Sequence, residues 1–101
     1  WVDLRAGDSF GTTFSIEINP GVAVFVPRGV ANGYQTLDDN ITYTYLVNAH
    51  WSVDAKYTFV NLFDPAIDIE WPIPQEEAVF SDKDAAHPRL KDVIPMEVEN
   101  E

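Results

Sequence analysis

Residues 29–51 read GVANGYQTLDDNITYTYLVNAHW. The second part of this stretch alternates strictly. Ile41, Tyr43, Tyr45 and Val47 fall on one parity, and Thr42, Thr44 and Leu46 on the other. A period of two belongs to a strand, whose side chains point in turn to opposite faces, and not to a helix. Asp38-Asp39-Asn40 hydrogen-bond readily to their own backbone and tolerate a left-handed conformation, so they predict a tight turn. A strand carrying Tyr34, that turn and the strand Ile41–Val47 then form a hairpin. In this hairpin Tyr43 and Tyr45 point the same way, with Tyr34 on the paired strand. His50 and Trp51 follow closely. Such a composition suits a binding cleft as well as a core.

The same period recurs on either side. Thr12, Phe14, Ile16 and Ile18 alternate with Thr13, Ser15 and Glu17, which predicts a half-buried strand. Asn19-Pro20-Gly21 is a turn, because proline fixes φ and glycine supplies a positive one. Val22–Val26 is a near-continuous β-branched and aromatic run, the pattern of a strand buried on both faces. Pro27-Arg28-Gly29 turns the chain again, and Trp1–Arg5 reads as a short strand. Beyond Trp51, Tyr57–Phe63 alternates weakly until Asp64-Pro65 breaks it. Ile67, Ile69 and Trp71 alternate once more, and Pro72 and Pro74 confine that run to an edge or an extended arm. Ser81, with Asp84 three residues on, marks a helix start, and a second helical turn is expected around Arg89–Val93. The acidic tail Glu97–Glu101 is expected to fray. About six or seven short strands at roughly ten-residue intervals, then a short helical C-terminal segment, predict an all-β sandwich or barrel.

With 101 residues, the chain suits a single domain, residues 1–101, with a modest core, and its apolar fraction of 46% argues for a folded globule. It carries 17 acidic residues against 6 basic ones, a formal charge of -11. Nucleic-acid phosphates and anionic membrane surfaces repel such a chain, so neither is expected as a partner. The absence of cysteine excludes disulfides and thiolate metal sites and fits a cytoplasmic protein. No apolar run reaches the length of a membrane span, and no signal-peptide pattern opens the sequence. The sequence starts at Trp1, flush with a strand, and is short for a complete jelly roll of about eight strands. It is therefore expected to be part of a longer chain, a processed N-terminus being the alternative.

The chemistry-bearing residues are few. His50 and His87 are far apart, and the carboxylates read as a solvated face, so no metal and no cofactor are expected. There is no GxSxG motif, and GVANG lacks the lysine and helix pattern of a phosphate-binding loop. The tyrosines can be core aromatics whose hydroxyls reach water. Alternatively, one phenol, with a pKa near 10, projects into a cleft and protonates a carbanion or enolate. Asp84 can satisfy backbone donors at a helix start, or it can hold a histidine in one tautomer as the third member of a catalytic triad does. His87, three residues on, can pair locally with Asp84, but at a proline boundary it reads rather as a surface residue.

The order VDLR, SFG, VPRGVANGY, TYLVNAHW, FDPAIDIEWP and FSDKDAAHP resembles the C-terminal part of the dTDP-4-dehydrorhamnose 3,5-epimerase family, from Val2 to about Val93. The resemblance implies a partial cupin-type jelly roll without metal, working as a homodimer on a nucleotide sugar. Such enzymes convert dTDP-4-dehydro-6-deoxyglucose to dTDP-4-dehydrorhamnose by removing protons next to a C4 ketone. A histidine base abstracts the proton, a lysine stabilises the enolate oxygen, and a tyrosine protonates the opposite face. Residue by residue, the resemblance makes Tyr45 that tyrosine and Asp84 the aspartate that orients the base. Lys83 would face the diphosphate. Asn32 stands where the family usually has histidine, and Trp51 where it usually has a tyrosine on the nucleotide side. The base and the lysine belong to an earlier RGLH-type segment and the strand after it, neither of which this sequence contains, which implies that the chain alone is inactive or nearly so. The GVANGY variant and the tail past Val93 also resemble bifunctional proteins in which such a domain precedes a reductase. The alternative is a non-catalytic binding or dimerisation module that keeps the scaffold.

Overall fold

The computed structural model describes residues 1–47 and 57–97. Its organising element is the N-terminal strand and not the stretch 29–51. Strand β1 (Val2–Asp3) pairs antiparallel with β2 (Val30–Ala31), Val2 opposite Ala31 and Asp3 opposite Val30. A strand residue turns its N–H and C=O to the same side, and both edges of β1 are used. Toward one edge, Asp3 N–H donates to the Thr12 carbonyl at 2.8 Å, and Gly11 N–H donates to the Asp3 carbonyl at 2.7 Å. Phe14 N–H reaches the Trp1 carbonyl at 2.9 Å on that same edge. Toward the other edge, Leu4 N–H donates to the Gly29 carbonyl at 3.0 Å, and Met96 N–H donates to the Leu4 carbonyl at 2.7 Å. Three distant segments thus meet on five residues.

The sequence WVDLR suits this place because its two parities differ in chemistry. Val2 and Leu4 turn to the core, where Ile67 and Val93 join them, and Phe10, Ala31, Val60, Ile69 and Leu90 pack around the four. Leu4 is 1% exposed, and burying a leucine side chain contributes about 1.5–3 kcal/mol. Asp3 and Arg5 take the opposite parity. Arg5 clamps the buried Asp3 carboxylate with Nε at 3.0 Å and Nη2 at 2.8 Å, and its backbone N–H adds a third bond at 2.9 Å. The side-chain bonds from Arg5 hold the Asp3 carboxyl far below the usual range, against burial, which pushes it up.

The turns follow the sequence reading. Val22 N–H closes onto the Asn19 carbonyl at 3.2 Å with Gly21 at φ 92°. Val30 N–H closes onto the Pro27 carbonyl at 3.2 Å with Gly29 at φ 88°. Asn40, at φ 61°, makes the left-handed corner of the turn at 38–40. Helix α1 (Asp82–Ala85) is capped by Ser81 as expected, and a 3₁₀ turn occupies Leu90–Asp92.

The expected strand at Trp1–Arg5 is found as β1, and the expected strand Thr12–Ile18 meets it at Thr13 opposite Val2, but the other expected strands form no ladder. Among the described residues, segments 14–19, 22–27, 32–37, 41–47 and 57–61 carry no strand ladder. The run Tyr57–Phe63 is cut by a turn in which Asp64 N–H donates to the Asn61 carbonyl at 3.3 Å. Ile67 lies in a turn, and Asp68 takes φ 45°, so the expected edge strand is absent too. Val22–Val26 is not buried on both faces: Phe25 is 88% exposed. The physical reason is common to all. Alternation determines which side chains share a face, but a strand also needs a neighbour for its backbone groups and a second layer for its apolar face. Both come from elsewhere in a polypeptide.

Candidate functional site

The turn at Asn40 brings residues 32–37 back beside 41–47, and the tyrosines meet there. The rings of Tyr34 and Tyr43 stack with centroids 4.1 Å apart and planes 6° from parallel. The Tyr45 ring follows at 6.5 Å from Tyr43, tilted by 43°. Tyr43 Oη donates to Asn32 Oδ1 at 3.4 Å, a long bond. Asn32 is thus tied to Tyr43 and not to Tyr45. The three phenols divide by role. Tyr34 and Tyr43 pack on each other, as aromatic neighbours on facing segments do. Tyr45 is 72% exposed and has no hydrogen bond from its hydroxyl among the described residues.

The second group is built on α1. Ser81 Oγ accepts the Asp84 N–H at 3.1 Å and so starts the helix. Asp84 Oδ1 lies 3.3 Å from His87 Nε2. His87 is not the surface residue the sequence suggested. Its side chain is 14% exposed, and its ring lies flat on Phe59 with centroids 4.4 Å apart and planes 1° from parallel. Asp84 therefore holds a histidine of its own chain. Lys83 sits exposed on the same helix. Trp51, the nucleotide-side candidate, and His50 lie outside the described residues.

Two residues that position this group escaped the sequence reading. Asn61 Nδ2 donates to the carbonyls of Ala85 at 3.0 Å and His87 at 3.1 Å, while its Oδ1 accepts the Phe63 N–H at 2.9 Å. Its backbone N–H reaches the Pro88 carbonyl at 2.8 Å. Asp64 is buried and accepts from Ala66 N–H at 2.9 Å and Leu90 N–H at 2.6 Å. Those two backbone donors, Ala66 first, lower the Asp64 pKa below its ordinary value, against the opposing effect of burial. The signal in the sequence was NLFDP, an Asn and an Asp three apart before a proline, both turn formers with side chains that bond backbone. By local pattern only Asp64-Pro65 stands out in it, as a strand break.

The tyrosine group and the α1 group remain separate: among the described residues no hydrogen bond or ring contact joins them. Two shallow grooves, of about 230 Å³ beside Leu62, Asp64 and Trp71 and about 190 Å³ beside Leu4, Ala31 and Tyr57, lie elsewhere and are lined by none of Asn32, Tyr45, Lys83 or Asp84. Among the described residues no helix is long and apolar enough to cross a membrane.

Compared with known proteins, residues 1–92 match the family model described as dTDP-4-dehydrorhamnose 3,5-epimerase. The chain belongs to this epimerase family. It is 46% identical over 98 residues to a protein RmlC homolog of Streptococcus pyogenes serotype M6, covering 95% of this chain and 49% of the relative. It is 33% identical over 96 residues to a dTDP-4-dehydrorhamnose 3,5-epimerase of Mycobacterium tuberculosis strain H37Rv, covering 91% of this chain and 47% of the relative. A solved structure of RmlC from Streptococcus suis, in complex with dTDP-D-xylose, superposes with a TM-score of 0.85 at 47% identity, covering 96% of this chain and 50% of that one. The epimerase-family chain thus spans about half the length of the relatives it matches. With so high a TM-score, the chain shares the fold of that structure even where the described residues carry no ladder.

Proposed function

We propose that residues 1–101 are the C-terminal part of a metal-independent nucleotide-sugar 3,5-epimerase domain with a cupin-type jelly roll, acting on dTDP-4-dehydro-6-deoxyglucose in dTDP-rhamnose or related deoxysugar synthesis. The observation that carries this reading is the family match over residues 1–92, supported by likeness to a relative solved with a dTDP-sugar. In the assembled enzyme, a homodimer in the cytoplasm, the C4 ketone acidifies the C3 and C5 hydrogens. A base takes the proton, and the electron pair moves to the C4 oxygen as an enolate. The Tyr45 hydroxyl then gives its proton to the opposite face of the carbon, and the phenolate regains one from water. Asp84, which contacts His87 in this chain at 3.3 Å, exchanges that contact for the base and orients it. Lys83, Asn32 and Trp51 lie on the substrate side.

The residues of this chain supply the acid half of that exchange. The base and the enolate-stabilising lysine belong to an RGLH-type segment not found in it. The test is NMR detection of deuterium incorporation from D2O at C3 and C5 of the substrate. The 101-residue chain alone is expected to give no exchange above background, because removing one member of a cooperative set costs nearly as much as removing all. Exchange at the rate of a complete enzyme would overturn the fragment reading.

The second reading, a module for binding or dimerisation without chemistry, is favoured by the many exposed apolar side chains between Phe14 and Val47. Calorimetric titration with dTDP separates retained ligand recognition from pure scaffolding. Light scattering across concentrations tests dimerisation, which a strictly monomeric chain would exclude.

A further inference from the structure

Among the asparagines of the described residues, one is set apart by the residue that follows it. Asn19 precedes Pro20, whose nitrogen carries no hydrogen. Asn40 precedes Ile41, whose branched side chain crowds its own backbone nitrogen. Asn61 has its side-chain amide engaged in three bonds, to the carbonyls of Ala85 and His87 and from Phe63 N–H. Asn32 precedes Gly33, which has no side chain to crowd the nitrogen. Both residues are exposed and lie just past β2, where the ladder has ended. Gly33 N–H has no hydrogen-bond partner among the described residues. Asn32 Oδ1 accepts the long bond from Tyr43 Oη at 3.4 Å. A donor at that oxygen stabilises the negative charge that builds there when Cγ is attacked, as an oxyanion hole does.

We propose that Asn32-Gly33 is a site of spontaneous covalent modification, in which the Asn32 side chain closes onto the Gly33 nitrogen and the ring is then hydrolysed. Gly33 N gives its proton to hydroxide or a buffer base, and its electron pair forms a bond to Asn32 Cγ. The Cγ–Nδ2 bond breaks, and Nδ2 takes a proton and leaves as ammonia. A five-membered succinimide results. Water then adds to one of its two carbonyls and opens the ring. Opening at the side-chain carbonyl leaves aspartate. Opening at the backbone carbonyl leaves isoaspartate, whose main chain runs through one extra methylene. One water is consumed and one ammonia released. Either product adds a negative charge to a chain of formal charge -11. On the reading of Asn32 as a substrate-side residue, on which this consequence rests, the new carboxylate repels a nucleotide diphosphate.

The experiment holds the 101-residue chain in mildly basic buffer and follows its peptides by mass spectrometry, with chromatography to separate isoaspartate from aspartate. Expected is a mass gain of about 1 Da at Asn32, an amide having become an acid, faster at higher pH and within tenfold of the rate in urea. Asn32→Gln, whose longer side chain would have to close a six-membered ring, and Gly33→Ala each slow the gain at least fivefold. A Cβ at Gly33 would stand 3.2 Å from Leu62 Cδ2, the end of a side chain that can give way. Amide protection at Asp3 and Leu4 checks that both variants fold. A folded rate more than tenfold below the rate in urea, or conversion of Asn40 or Asn61 as fast as that of Asn32, would overturn this assignment. Calorimetric titration of Asn32→Asp with dTDP is a separate readout. Binding at least fivefold weaker than that of the unsubstituted chain is expected, and equal binding counts against the substrate-side reading of Asn32 and not against the modification.

Discussion

Tyr45 differs from the tyrosines beside it in what its hydroxyl can reach. Tyr43 donates a long hydrogen bond to Asn32 Oδ1 and stacks on Tyr34, whereas Tyr45 is exposed. In the complete enzyme, Tyr45→Phe is expected to lower kcat by roughly 10²–10⁴-fold, the range for a positioned acid or base, with little change in KM. Tyr34→Phe removes a hydroxyl that holds no hydrogen bond among the described residues and is expected to stay within a few-fold. Steady-state kinetics on the three proteins checks both. At Asp64 the expectation concerns stability. Its folded pKa lies below the ordinary value because Ala66 and Leu90 N–H groups bind the charged form. A depressed carboxylate stabilises the fold above its unfolded pKa, near 3.9, and that contribution is lost as pH falls through the lower folded value. Asp3, held down by Arg5, acts with the same sign. Asp64→Asn is therefore expected to lower Tm at pH 7 and to flatten the loss of stability below about pH 4, measured by thermal unfolding from pH 2 to 7.

The element that carries the α1 residues is short, and its position comes from outside it. Four helical residues cannot hold themselves in water, since isolated helices under about 12 residues are marginal. Ser81 caps one end, and Asn61 grips the carbonyls of Ala85 and His87 at the other. Asn61→Ala is expected to cost about 1–3 kcal/mol, from lost bonds and carbonyls left without a partner, and to speed amide exchange at Ala85 and Ala86. Urea unfolding and hydrogen exchange read the two effects. The turn after β1 is held as firmly. Gly11 has φ 87°, and an added Cβ would stand 3.2 Å from Leu90 Cδ2. Gly11→Ala is expected to destabilise by about 1–2 kcal/mol from the left-handed backbone alone. A denaturant midpoint no lower than that of the unsubstituted chain would contradict this.

For the molecule as a whole, the four buried apolar side chains among the described residues form a small core against the many exposed apolar side chains between Phe14 and Val47. The isolated chain is expected to bind an apolar dye such as ANS. Its self-association is expected to increase with salt, because screening shortens the reach of a charge of -11. Light scattering at low and high ionic strength checks this. A monomer that binds no dye at any salt concentration would mean that these side chains are covered in solution.

What the residues determine by themselves is local. Proline, glycine and asparagine set the turns at 19–22, 27–30 and 38–40, because φ is a property of single residues. Ser81 and Asp84 mark the helix start for the same reason, and alternation sorts Tyr43 and Tyr45 onto one side. Motif order carried the family and, with it, the proposed roles of Tyr45 and Asp84. The rest needed the tertiary structure. That WVDLR and not the tyrosine hairpin forms the hub depends on partners at 11–14, 29–31 and 96, which no local pattern names. The burial of His87 depends on Phe59, and the grip on α1 depends on Asn61, more than twenty residues away. Among the described residues, the strands expected from period two carry no ladder beyond the Thr13 bridge, because a ladder is a relation between segments. A sequence states which face of a segment is apolar, and only the assembled chain decides what, if anything, covers it.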